Sequence, residues 1–156
     1  MKQKLSPGQA LKKLQQMCSG QEKCSADILK MLTRWKIDEE DIQSILEKLT
    51  EDKYIDDNRY ATSFTRDKIK FDHWGMRKIR YHLLQKGIDK QVCNTVLSDV
   101  DTDQYKRMIE KELLKKRNTL TGSSYQIWAK LANYGNSRGY EMEYMQEYLD
   151  SIKHMT

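Results

Sequence analysis

The chain has 156 residues, of which 33% are charged, with a net charge of +5 and a single proline, Pro7. That length suits one ordinary core or a short array of small units. The charge load, the scarcity of proline and the lack of alternating Val, Ile or Thr runs argue against a sandwich or barrel and for a helix-rich protein. No apolar run approaches membrane-spanning length, and Met1-Lys-Gln-Lys-Leu5 lacks the apolar region of a signal peptide, so a cytoplasmic protein with no membrane partner is expected. Cys18, Cys24 and Cys93 form no Cys-x-x-Cys pair, and His73, His82 and His154 are scattered. Neither a disulfide framework nor a metal or other cofactor is expected.

In chain order, Ser6 with Pro7 is a helix start, and Leu11 and Leu14 supply that helix's apolar side. A second helix is predicted over 25–35. A third starts near Asp38, with Asp41 three residues on and Ile42, Ile45, Leu46 and Leu49 inside it. Trp35, near the apolar side of the second helix, is predicted to pack between units, with a protein contact as the alternative. Asp56 is the predicted N-cap of a helix over 56–71. Ile55 and Tyr60 have the spacing of a hydrophobic staple, and Tyr60 and Phe64 share a face. Asp57 favours the same first turn. Helices over 75–86 and 89–99 follow; Ile79, Leu83 and Leu84 define the apolar side of the first, and Gly87 supplies the left-handed residue after its end. The last three helices are predicted over 102–119, 123–137 and 141–154. Gly139 stands where Gly87 does, and Lys36 holds that position earlier in the chain. Glu112 and Lys116 have the spacing of an i, i+4 ion pair.

These elements repeat. Counted from Ile28, apolar residues stand at Leu32, Ile37, Ile42, Ile45, Leu46 and Leu49. The same offsets from Ile79 give Leu83, Ile88, Cys93, Val96, Leu97 and Val100; from Leu131 they give Gly135, Tyr140, Met145, Tyr148, Leu149 and Ile152. The origins lie 51 and 52 residues apart, a spacing that marks repeated supersecondary units. The expected fold is all-α: three tandem three-helix, helix-turn-helix-like repeats over 6–53, 54–101 and 102–154. Each is too small to bury much surface alone, so they stack into an elongated array.

No catalytic constellation is present. Asp56 and Asp57 are adjacent and point apart on a helix, and no glycine-rich loop cradles a phosphate, so an enzyme is not expected. Charge is polarised instead: residues 66–90 carry eight Lys or Arg against three Asp, while residues 38–57 carry nine acids against Lys48 and Lys53. The candidate site is the basic helix with Arg77, Lys78, Arg80 and Lys86. Arginines at a helix start, beside open backbone N–H groups, suit phosphate contact. Arg59, Lys68 and Lys70 extend the patch if the preceding helix packs alongside. A solvated face is the other reading of these charges. Trp74 either staples the helix entry or stacks on a base.

The run Asp56-Asp57-x-Arg59-Tyr60-Ala61, followed by Trp74-Gly75, Ile79, Leu83 and Gly87-Ile88, resembles the signature of the RecX family, regulators of the RecA recombinase. The resemblance covers roughly residues 8–154. It is most specific in the middle unit, with Arg138-Gly139-Tyr140 the clearest piece of the third. It implies an extended, curved, all-α molecule that binds the RecA–DNA filament across neighbouring protomers. That molecule would modulate, mostly inhibit, filament growth, ATP hydrolysis and strand exchange in DNA recombination and repair. Single- or double-stranded DNA would be engaged without strong sequence preference, by a monomer. An independent helix-turn-helix transcription regulator is the alternative, and a helical scaffold with no nucleic-acid role is a third.

Overall fold

The computed structural model describes residues 4–154; residues 1–3, read above for a signal segment, lie outside it. The described residues form nine helices and no strand: α1 (Pro7–Gly20), α2 (Ser25–Arg34), α3 (Glu39–Glu51), α4 (Asp57–Lys70), α5 (Met76–Gln85), α6 (Lys90–Ser98), α7 (Thr102–Arg117), α8 (Ser124–Arg138) and α9 (Met142–Lys153). Among these residues, no helix is long and apolar enough to cross a membrane.

Local chemistry explains the starts and stops. Ser6 and Gln9 close a reciprocal capping box on α1, with Pro7 at its first position. Asp56 accepts the Arg59 N–H at 3.1 Å and caps α4. Each middle helix ends in a left-handed residue: Lys36 (φ 59°), Gly87 (φ 91°) and Gly139 (φ 86°). The next amide then reaches back to the last turn, Ile37 to Leu32 O at 3.1 Å, Ile88 to Leu83 O at 3.0 Å and Tyr140 to Gly135 O at 2.9 Å. The same hydrogen bond in all three triplets is the repeat expressed in backbone geometry.

The apolar positions that recur in sequence are the ones that are buried. Leu14, Ile28, Leu32 and Leu49 anchor a first cluster, Ile79, Leu83, Ile88 and Cys93 a second, and Tyr105, Leu131, Met145 and Leu149 a third. Gly135, the one break in the apolar set, has a packing reason: a Cβ there would lie 2.1 Å from Met145 Sδ. The closest helix packing falls within triplets α1–α3, α4–α6 and α7–α9. The surface is 10314 Å², against about 8,200 Å² for a compact monomer of this mass, as a linear array requires.

Four expectations need correction. Leu84 is 41% exposed, because it sits about 100° around the helix from the buried Leu83. Trp35 packs against the first cluster, with Lys13 Nζ 4.9 Å from its ring, rather than between repeats. Ile55 lies in the first cluster and Tyr60 packs against the second, so the staple spacing serves two cores. Glu112 is buried and pairs with Lys115 at 3.7 Å and His73 at 3.8 Å instead of Lys116, whose Nζ lies over the Tyr134 ring.

Candidate nucleic-acid interface

Two joints position the middle repeat, and they take up several of the expected site residues. At both, the start of one middle helix meets the end of the next. The start of α2 faces the end of α5: Ala26 Cβ lies 3.3 Å from the place a Cβ would occupy on Gly87, and Asp27 pairs with Lys86 Nζ at 2.7 Å. Asp57 accepts both the Ser25 N–H (2.9 Å) and the Ser25 hydroxyl (3.2 Å), which supplies α2 with a cap from the neighbouring repeat. Arg59 pairs with Glu22 at 2.7 Å and donates to the Lys53 and Tyr54 carbonyls. Cys24 is fully buried within the second cluster. Burial pushes the Asp27 carboxyl up, but the hydrogen bonds from Lys86 and from the Cys24 amide and thiol outweigh it and hold it below its ordinary value of 3.8.

The start of α5 is pressed onto the end of α8. The Gly75 N–H donates to Arg138 O at 2.7 Å, the Met76 N–H to Tyr105 Oη at 2.7 Å and the Arg77 N–H to Gly139 O at 3.2 Å. A Cβ on Gly75 would lie 2.2 Å from the Gly139 carbonyl carbon, and one on Gly139 would lie 2.5 Å from the Lys78 nitrogen. Only glycine at both positions permits this approach. The Arg77 guanidinium reaches Tyr140 O at 2.8 Å and Asn136 Oδ1 at 3.1 Å. Arg138 donates to the Asp72 and His73 carbonyls, and Tyr140 Oη donates to His73 O at 2.6 Å. Tyr105 donates to Glu141 at 2.7 Å. Burial raises the Glu141 carboxyl above 4.5, and burial with the Glu141 hydrogen bond raises the Tyr105 hydroxyl; burial lifts Tyr140 to about 12.

The expected phosphate site at the α5 start is therefore closed, because its first three amides bind neighbouring groups. Arg77 and Arg80 do not lie together: Arg77 turns to the third repeat, while Arg80 bonds Asn94 Oδ1 on α6. Arg59, Arg77 and Lys86 make joint contacts, with Arg77 and Lys86 still exposed at the surface. The joint roles of Asp57 and Arg77 could not be seen in the sequence because both depend on residues far along the chain. A second carboxylate beside the Asp56 cap was the available signal.

What remains open is an aromatic strip on α4 and α5. Tyr60 and Phe64 stack with ring centroids 6.1 Å apart, Phe64 meets Trp74 edge-on at 6.2 Å, and Trp74 lies 4.6 Å from His82. Tyr81, 60% exposed, continues the strip at 5.5 Å. Lys68 and Lys78 flank the half-buried Trp74, with Nζ atoms 4.6 and 4.5 Å from its ring centroid. Lys68 also meets Asp72 at 3.1 Å, whereas Lys78 has no ion-pair partner among the described residues. Trp74 thus both packs at the helix entry and carries two ammonium groups on its faces. Lys70 lies away from the strip, its Nζ 5.3 Å from the exposed Phe71 ring.

Fold and face together define a tandem three-helix-repeat protein whose middle repeat presents a lysine-flanked aromatic surface. Residues 56–97 match the family model for the RecX second three-helix domain. A regulatory protein RecX of Chlorobium phaeobacteroides (strain BS1) is 31% identical over 126 residues, which cover 81% of this chain and 82% of that protein. The chain belongs to the RecX family. A regulatory protein RecX of Clostridium botulinum (strain Eklund 17B / Type B) is 34% identical over 113 residues, 70% of this chain and 52% of that protein; the chain spans about half the length of such relatives. The crystal structure of a regulatory protein RecX superposes with a TM-score of 0.84 at 26% identity, covering 92% of this chain and 73% of that one. RecX from Lactobacillus salivarius shares the fold, with a TM-score of 0.88 at 19% identity over 96% of this chain and 97% of that one.

Proposed function

We propose that this protein binds the RecA–DNA filament and restrains its growth, ATP hydrolysis and strand exchange, acting in the cytoplasm as a monomer. The observation that carries the reading is the aromatic strip, flanked by Lys68 and Lys78, in the repeat that matches the family model. Ammonium groups beside an aromatic face suit contact with a nucleic-acid backbone and its bases, without reading base edges. Arg80, which bonds a neutral amide, extends the positive charge. A linear array also presents more length to a filament than a compact domain of equal mass.

The test adds the purified protein to RecA filaments on single-stranded DNA and follows ATP hydrolysis, which is expected to fall. Changing Lys68 and Lys78 to Ala should weaken DNA binding on every sequence and flatten its salt dependence by about one unit for each phosphate no longer neutralised. Unchanged hydrolysis, together with discrimination among duplex sequences at equal salt, would replace this reading with an independent transcription regulator. Absence of any salt-sensitive DNA binding would leave a scaffold.

A further inference from the structure

A second surface lies on the other side of α4. Tyr60, Phe64 and Lys68 follow one face of that helix; Thr62, Thr65, Arg66 and Ile69 follow the opposite one. There, between the second and third repeats, a cleft of about 550 Å³ opens, floored by Ile69, Val96, Val100, Tyr105 and Met108. Its rim is polarised, with Arg66 and Lys70 on the α4 side and Asp99 and Asp101 opposite. Asp101 is occupied in capping α7 through the Asp103 and Gln104 amides. Among the described residues, Arg66 has one ion pair, a 3.8 Å contact with its neighbour Asp67, and Lys70 has none.

Thr65 gives the cleft its meaning. The residue is only 3% exposed, and its hydroxyl meets no protein partner among the described residues. Three other helical threonines donate to the carbonyl one turn back: Thr33 to Leu29, Thr50 to Leu46 and Thr62 to Asn58, each at 2.8 Å. Thr65 does not do so, and it lines the cleft. A second buried polar atom there, His73 Nδ1, is also unpartnered. A buried polar group without a partner destabilises the folded chain, so an entering group that bonded either atom would be held there.

We infer that this cleft seats a segment of the partner protein in which an apolar side chain fills the floor and an adjacent carboxylate meets Arg66 and Lys70. The inference rests on the filament reading above and divides the labour of α4: nucleic acid on the strip side, protein on the cleft side. An acidic segment fits because the α4 rim carries two cations without a strong acidic partner, and a peptide supplies the backbone groups that Thr65 and His73 lack.

The test compares Thr65→Val and Arg66→Glu with the parent in binding to RecA filaments assembled on single-stranded DNA and to the bare oligonucleotide. Thr65→Val is nearly isosteric, so its thermal stability should equal or exceed the parent's. Its filament affinity should fall roughly three- to tenfold, the worth of one hydrogen bond, with affinity for bare DNA unchanged. Arg66→Glu should lower filament affinity further. A benzophenone side chain in place of Lys70, in an otherwise unaltered chain, should cross-link to an acidic segment of the recombinase. Unaltered filament affinity in both variants would overturn the inference, as would a parallel fall in DNA affinity or cross-links to DNA alone. If the parent fails to bind filaments at all, the filament reading falls and takes this one with it; if the parent binds and the variants match it, only the cleft assignment falls.

Discussion

The joint between the first and second repeats and the joint between the second and third occupy equivalent positions and use different chemistry. At the first, side chains do the joining: Asp57 on the Ser25 amide, Asp27 on Lys86, Arg59 on Glu22. At the second, backbone touches backbone through Gly75 and Gly139. The residue at the N-cap position decides which. Gly75 lets two main chains meet, whereas its repeat equivalent, Cys24, places a buried thiol in the neighbouring core. One repeat geometry can therefore be closed by charged groups or by close packing. The two solutions should answer differently to mutation, salt and pH.

Gly75→Ala should do the most damage, because its methyl would overlap the Gly139 carbonyl. A loss on the order of 3 kcal/mol is expected, and denaturant unfolding should separate into more than one transition. A single transition at the parent midpoint would show that the second joint yields more easily than its geometry implies. Tyr105→Phe removes the acceptor of the Met76 amide and the donor to Glu141, and should cost about 1–3 kcal/mol by the same measurement. At the first joint, Asp57→Ala deletes the borrowed cap of α2 and should cost about 0.5–2 kcal/mol, with faster amide exchange at the start of α2. Lys86→Gln should cost least, about 0.2–1 kcal/mol, and its effect should vanish in high salt. If Lys86→Gln proves as costly as Gly75→Ala, the contrast between the joints collapses.

Acid should separate the joints by sign. Asp27 has its folded pKa held below 3.8, so its contribution is present above that value and is lost as pH falls through the folded one. Glu141 has its folded pKa raised above 4.5 by burial, so its contribution is full below 4.5 and is lost as pH rises through the folded value. Lowering the pH from neutral towards 4.5 should tighten the second joint before the first loosens. Thermal unfolding of the parent and of Glu141→Gln across that range tests it: the variant should lose the stabilisation that the parent gains.

The helices and their cores were legible in the sequence because they rest on local signals. Ser6-Pro7, the Asp56 cap, the recurrent apolar offsets from Ile28, Ile79 and Leu131, and the residue after each middle helix all act within one repeat. The site was legible only in part. Lys68, Lys78 and Trp74 converge because α4 packs on α5, as the apolar faces require. Arg77 and Lys86 looked like surface cations because their partners, Tyr140 and Asp27, stand 63 and 59 residues away. Gly75 read as an ordinary helix start, and only the approach of α8 shows why a larger residue cannot stand there.

The end-to-end meeting of the middle helices has an electrostatic consequence. Each α-helix carries partial positive charge at its amino end and partial negative charge at its carboxyl end. The positive end of α5 rests on the negative end of α8, and the positive end of α2 on the negative end of α5, so the inner poles neutralise each other. Only the outer poles stay unmatched: the amino end of α8, closed by Ser123 and Gln126, and the carboxyl end of α2 at Trp35 and Lys36. The three middle helices thus form a single extended dipole, with its positive pole at the third repeat and its negative pole at the first. A partner that is itself a polar track would meet opposite signs at the two tips, which favours one of the two orientations in which a rod can lie along it.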